Sequence, residues 1–415
     1  MSKRRVVITG LGTLNSLGNN VDSTWEKLLN GESGIGKIER FELSEDYASR
    51  IAGEVKNFDP KEYFDRKRIK KLDLYSIYAL YAAKQALDDS NLLNDGYDPE
   101  RVGVLVATGI GGMYTFETEA EKFALKGPRR VSPFFIPKMI SNAASAEIAI
   151  EYNFQSINFN IASACASANH AIGTAFRTIK YGDADVMLSG GAEASVTPLT
   201  VAGFSAMKAL STRNDDPQKA CRPFDKGRDG FILSEGAGII VLEEMEHALK
   251  RGAKIYAEVV GYGATCDAYH ITAPSPNGEG GARAIKVALK DASLNPEDIH
   301  YINAHGTSTP LNDKNETAAF KTVFGKHAYN LKVNSTKSMI GHSLGAAAGI
   351  EAIVCCKTIE NGKIHPTINL TEPDPECDLN YVSDKAIEQN VDVALSNSLG
   401  FGGHNGVIIF KKFNT

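Results

Sequence analysis

Between Ile157 and Gly191 the chain reads INFNIASACASANHAIGTAFRTIKYGDADVMLSGG, and this stretch constrains the fold more than any other. Ile157, Phe159 and Ile161 alternate with polar residues as a strand would; Ile172, Ala175, Phe176 and Ile179 then recur at helical spacing. Gly182 ends the helix, and Ala184 to Leu188 reads as a second strand. The pattern is a strand-helix-strand unit with Cys165 at its elbow. A thiol there faces unpaired backbone N–H groups and the positive end of the helix dipole, which predicts a lowered pKa and a nucleophilic thiolate. The same N–H groups suit an oxyanion formed when sulfur attacks a thioester. A cysteine among Ala and Ser reads equally well as small core packing, so the remaining chain has to decide between the two.

A chain of 415 residues, 43% hydrophobic, is long enough for two domains or one duplicated unit. The net charge of −5 gives no global signal for nucleic acid. Met1 to Arg5 leads into a strand with no apolar signal region, and the expectation is a cytoplasmic protein that does not cross a membrane. Six cysteines form no CxxC pair and have no histidines at ligand spacing, so no metal site is expected. Near the start, Gly10 to Gly18 resembles a dinucleotide fingerprint but carries Asn15 at the third glycine position, and Ser23 with Glu26 predicts a capping box. The order strand, helix, strand, helix, strand, helix begins again after Lys254. Two similar α/β halves are expected, 1–250 carrying the cysteine and 251–415, with the Cys165 elbow and the Lys337 to Leu344 elbow at equivalent, facing positions.

Three loops past strand ends carry the other polar candidates: 303–310 with His305, 334–345 with His342, and 397–406, whose glycines let the Phe401 N–H approach a substrate. Gly341-His-Ser-Leu-Gly345 also fits the GxSxG elbow of serine hydrolases and acyltransferases, which would make Ser343 the nucleophile. That motif needs a strand leading straight to the serine, and Lys337 to Ile340 intervene.

The ordered pieces SACAS at Cys165, GGAEA at Gly190, ALSTRNDDP at Ala209, RPFDKGRDGF at Arg222, SEGAG at Ser234, NAHGTSTP, NSTKSMIGH and GFGGHNG resemble the β-ketoacyl-acyl carrier protein synthases of fatty acid elongation, in their type II (long-chain) subgroup. The resemblance spans essentially the whole chain. It implies a duplicated thiolase-type α/β fold, layered α-β-α-β-α, a homodimer, and decarboxylative condensation of a malonyl group with a cysteine-bound acyl chain. It further implies Cys165 as nucleophile, His305 and His342 as the other catalytic groups, Lys337 and Glu351 as a supporting pair, and Phe401 as a gate. Thr272, Thr307 and Thr309 would contact the phosphopantetheine arm, and Ile110 would end the acyl pocket. No cofactor or metal is implied, since loss of the malonyl carboxylate supplies the driving force and the substrates are carried on the phosphopantetheine of acyl carrier protein. Ala166 and His404 depart from the residues common in the family. A non-catalytic chain-length subunit is the rival from another class, and it would be expected to lack Cys165. The basic runs Arg66, Lys67, Arg68, Lys70, Lys71 and Arg129, Arg130 read as solvated helix ends or as docking patches for the acidic carrier protein.

Overall fold

The computed structural model describes residues 4–94 and 97–414. Ten strands form its main sheet: β1 (Val6–Asn15), β2 (Val102–Ala107), β3 (Asn158–Phe159), β4 (Val186–Glu193), β5 (Gly236–Glu244), β6 (Ala257–Cys266), β7 (Tyr301–Asn303), β8 (Lys332–Asn334), β9 (Val393–Gly400) and β10 (His404–Lys411). Their spatial order is β3-β2-β4-β5-β1-β6-β10-β9-β7-β8. Counted outward from the β1·β6 junction, the two halves repeat the same sequence of strands. The pairings repeat as well, antiparallel for the two inner pairs of each half and parallel for the two outer pairs. Only Val6 to Ile8 pair with Ala257 to Val259 across the junction.

Each half carries three principal helices in matching places. They are α1 (Leu74–Ser90), α2 (Ala143–Tyr152) and α3 (Ser167–Tyr181) in the first half, and α4 (Glu279–Ala292), α5 (Pro310–Phe324) and α6 (Ala347–Asn361) in the second. Helices α3 and α6 form the middle layer. Apolar residues from both, such as Ile172, Phe176, Ala352 and Ile359, share one core with Leu105 of β2, Val259 of β6 and Ala394 of β9. Helices α1 and α2 bury a second core on the outside of the first half, and α4 and α5 a third on the outside of the second. This is the expected α-β-α-β-α layering. Helix α6 begins with Ala347, Ala348 and Gly349 where it passes closest to the sheet: a Cβ on Gly349 would lie 2.3 Å from the carbonyl oxygen of Gly238 in β5.

One local reading is upheld and two expectations are corrected. The first glycines do not form a nucleotide loop; β1 runs on to Asn15, and Cβ atoms on Gly10 and Gly12 would lie 2.1 and 2.0 Å from carbonyl oxygens of α1, so they serve close strand-helix packing. The helix Val21–Leu29 is capped by Asn20, whose side chain accepts the Ser23 N–H, so Ser23 is a first-turn residue and no Ser23-Glu26 box forms. The alternation around Phe159 gives only a two-residue strand, because Asn158–Phe159 pairs with one neighbour at the sheet edge and both side chains are exposed. Among the described residues no helix is long and apolar enough to cross a membrane.

Candidate active site

Strand β3 and helix α3 are joined by a tight elbow in which Ala164 takes the left-handed conformation, φ 51°. Ser167 fixes the turn, its hydroxyl accepting the Ser163 N–H at 2.8 Å and donating to the Ala164 carbonyl at 2.6 Å. The Ser163 hydroxyl meets His170 Nδ1 at 2.7 Å, and His170 Nε2 meets the Asn405 carbonyl at 3.2 Å, tying the elbow to β10. Cys165 is thereby held one residue before the cap of α3. Gly400 is packed against it so closely that a Cβ there would lie 3.2 Å from the Cys165 nitrogen.

The thiol is not the ready thiolate that its place at a helix start predicts. Burial pushes it up to about 11, and the Lys337 charge with the N–H groups of Phe401 and Cys165 offsets this only in part. The helix dipole acts within one turn at modest strength, whereas full desolvation of a charged sulfur is a larger effect. The resting group is a protonated thiol, and its activation requires a proton acceptor.

Two acceptors stand beside it. The ligating atoms of Cys165, His305 and His342 all lie within 4.8 Å of one another, and the two imidazole rings cross at 85° with centroids 5.3 Å apart. Burial and the nearby Lys337 ammonium hold both histidines well below their ordinary pKa, so both are neutral. Neither ring nitrogen of His342, nor Nδ1 of His305, has a hydrogen-bond partner among the described residues. Buried polar atoms left open in this way are uncommon and mark a place where something else is meant to bind.

Each histidine is positioned through its backbone. The His305 and Gly306 N–H groups donate to the two carboxylate oxygens of Glu316 in α5, and the His342 N–H donates to the Ile232 carbonyl at 2.7 Å. Behind them Lys337 and Glu351 form a fully buried ion pair; burial raises the Glu351 carboxyl and Lys337 opposes the rise. Glu193, the acid of the GGAEA run, accepts the N–H groups of Gly109 and Gly345 at 2.6 and 3.0 Å. It thus ties the Ile110 turn to the loop that follows His342. The roles of Glu193 and Glu316 escaped the sequence reading, since the GGAEA run and the pattern of α5 do not show which loops a buried carboxylate holds.

The three groups open onto a cavity of about 560 Å³, which Ile110, Phe401, Thr272, Thr307 and Thr309 also line. The Thr307 and Thr309 hydroxyls meet at 2.9 Å. An exposed cation, Lys208, stands at the same cavity and was not singled out in the sequence. Ser343 is fully buried and its hydroxyl has no hydrogen-bond partner among the described residues, so it lacks the adjacent base that a serine nucleophile needs. Asn303 Oδ1 and Ser396 Oγ, on residues opposite each other in β7 and β9, are further buried oxygens without partners among the described residues. Such donors fit a hard cation or ordered water.

The basic residues lie elsewhere. Arg66, Lys67, Lys70, Lys71, Arg129 and Arg130 are exposed, and the Lys71 ammonium sits 5.5 Å over the ring of Phe134, which brings the two runs to one region. Arg68 differs from the others because it is engaged by Glu147 and Glu151 of α2.

Comparisons with known proteins agree with this geometry. The family model described as beta-ketoacyl synthase, N-terminal domain, matches residues 3–248, and its C-terminal counterpart matches 256–371. A 3-oxoacyl-[acyl-carrier-protein] synthase 2 from Staphylococcus aureus is 51% identical over 410 residues, 99% of each chain. The protein of that name from Synechocystis is 52% identical over 413 residues, covering 100% of this chain and 99% of the relative. Among solved structures, the ketosynthase of a type II PKS in complex with its acyl-carrier protein superposes with a TM-score of 0.92 at 38% identity, covering 99% of this chain and 100% of that one. A beta-ketoacyl synthase from Burkholderia phymatum gives 0.91 at 34% with the same coverage.

Proposed function

The chain belongs to the β-ketoacyl synthase family, and from that membership we propose that it elongates fatty acyl chains by condensing malonyl-acyl carrier protein with an acyl group held on Cys165. The observation that carries this reading is the convergence of one thiol and two neutral, unpartnered imidazoles on a cavity of about 560 Å³.

In the first half-reaction the Cys165 sulfur attacks the acyl thioester, its proton passes by way of a histidine nitrogen to the departing carrier sulfur, the carrier thiol leaves, and the imidazole is neutral again. The Cys165 and Phe401 N–H groups are suited to hold the oxyanion of the tetrahedral intermediate. In the second half-reaction the malonyl thioester occupies the same cavity. Loss of carbon dioxide leaves an enolate, whose oxygen gains negative charge only along the reaction path. Two neutral imidazole N–H groups donate to it there and lower the barrier without binding the ground state equally well. The enolate carbon then attacks the acyl-cysteine carbonyl, the carbon–sulfur bond breaks, Cys165 leaves as thiolate and takes a proton from water to regain its resting form, and the β-ketoacyl product remains on the carrier. This sequence uses no metal or redox cofactor. Thr307 and Thr309 are suited to hydrogen-bond the pantetheine amides, with Thr272 lining the same cavity.

A homodimer fits the surface of the first half, where Tyr114, Phe116, Phe123, Phe134 and Ile136 are exposed and β3 ends the sheet as an edge strand. A chain-length subunit without catalysis is disfavoured by the presence of Cys165. The deciding experiment mixes the protein with radiolabelled long-chain acyl-acyl carrier protein and maps the label after digestion. Label on Cys165 is expected; label on Ser343, or none on the protein, overturns the reading.

A further inference from the structure

We propose that Cys165, His305 and His342 together form an inhibitory binding site for Zn²⁺. Among the described residues, this is the only group of three thiol, imidazole or carboxylate side chains whose ligating atoms converge within 4.8 Å. Zinc–sulfur bonds of about 2.3 Å and zinc–nitrogen bonds of about 2.0–2.1 Å set the ligand atoms of a tetrahedral site roughly 3.5 Å apart. Closing from 4.8 Å to that spacing takes about an ångström of side-chain rotation. The lone pairs are available for it, because both nitrogens of His342 and Nδ1 of His305 have no hydrogen-bond partner among the described residues.

The donor set suits the ion. One thiolate and two neutral imidazoles are the ligand types that select zinc over magnesium or calcium. The cavity leaves a fourth position open to water. Binding forms the zinc–sulfur bond and releases the thiol proton to solvent, so the site gains one net positive charge. Lys337 opposes that charge, and Glu351, paired to Lys337, partly cancels the opposition. An acyl group on Cys165 converts the sulfur to a thioester, a poor donor, so acylation and zinc exclude one another. The inhibition is therefore competitive with the acyl donor. The inference uses the same three side chains as the proposed condensation but none of its chemistry.

The test uses the full chain freed of metal with a chelator and titrated with Co²⁺, whose thiolate ligation gives a charge-transfer absorption that Zn²⁺ abolishes by displacement. One Co²⁺ per chain is expected. His305→Ala and His342→Ala should each weaken its binding by roughly tenfold or more, Cys165→Ser should lose the thiolate band, and Cys266→Ser should keep it. A band that persists in Cys165→Ser, or vanishes in Cys266→Ser, overturns the proposal. A second measurement needs no variant: Zn²⁺ should slow iodoacetamide alkylation of Cys165 in the unmodified protein at least about tenfold, and excess chelator should restore it. Unchanged alkylation of Cys165 at saturating Zn²⁺ overturns it equally, and both readouts stand whether or not the protein condenses acyl chains.

Discussion

Glu316 holds His305 in place by its backbone: one carboxylate oxygen accepts the His305 N–H at 2.6 Å, and the other accepts the Gly306 N–H at 2.8 Å. The amide of Asn397 donates to the same group at 2.8 Å, so the carboxylate links the His305 loop to β9.

This arrangement predicts a pH dependence. Burial pushes the Glu316 carboxyl up to about 7, against three hydrogen bonds that lower it. Above that pH the carboxylate accepts from all three donors; below it, a bound proton removes one acceptor and the loop loosens. The condensation rate should fall as pH drops through about 7, and the imidazoles cannot be the cause because burial and Lys337 keep them neutral there. In Glu316→Gln the inflection should vanish and the rate at high pH should fall by roughly tenfold, about 1.4 kcal/mol of barrier. A pH-rate profile of that variant with the inflection unmoved would assign the titration to another group.

The proposed division of labour separates the histidines from the cysteine. Cys165→Ala should abolish acyl transfer to the protein and with it condensation. His305→Ala and His342→Ala should each slow malonyl decarboxylation by roughly 10²-fold or more while slowing acyl transfer less, since enolate charge develops only in the second half-reaction. Decarboxylation at the unmodified rate in either variant would remove that histidine from the role.

Ile110 follows β2 in a glycine-rich turn fastened by Glu193 and lines the cavity beside Cys165. Ile110→Gly should extend the range of accepted acyl chains and Ile110→Phe should shorten it. One methylene in an apolar pocket is worth about 1–3 kcal/mol, so the change should appear as a shift of kcat/KM by tenfold or more at the ends of the range. Identical chain-length profiles for both variants and the unmodified protein would show that the pocket closes elsewhere.

The duplication was legible in the sequence because hydrophobic periodicity restarts after Lys254, and the Cys165 and His342 elbows were legible because glycines and small residues punctuate strand and helix ends. What stayed hidden depends on distance and solvent exclusion. The order of strands around the β1·β6 junction is set by pairings between residues some 250 positions apart, such as Val6 with Val259. The raised thiol of Cys165 follows from burial by the other half of the chain, which no local reading of its helix dipole reveals. Glu193 and Glu316 look like ordinary strand and helix acids until the loops they hold are folded against them. Arg68 read as one more member of a basic run, but α2 brings Glu147 and Glu151 to it from some eighty residues away.

That last correction sharpens the docking prediction. The chain is net acidic at −5, so an acidic carrier protein is repelled on average, and a local cluster of cations is needed to reverse this at one face. Lys67, Lys70, Arg129 and Arg130 are exposed, and the Lys71 contact with Phe134 draws their two runs together. Steering of this kind acts mainly on association and fades once salt shortens the Debye length below its physiological value of about 8 Å. Lys67→Glu with Lys70→Glu should therefore lower kcat/KM for carrier-borne substrate by roughly tenfold at low salt, with the loss shrinking at high salt, and leave a short pantetheine thioester unaffected. Arg68→Glu is the contrasting variant: it sets a third carboxylate against Glu147 and Glu151, damages the packing on α2, and should lower activity on both substrates alike. Measured side by side, equal losses for the Lys67/Lys70 variant on carrier and pantetheine substrates, or no loss on either, would return these lysines to the role of a solvated helix end.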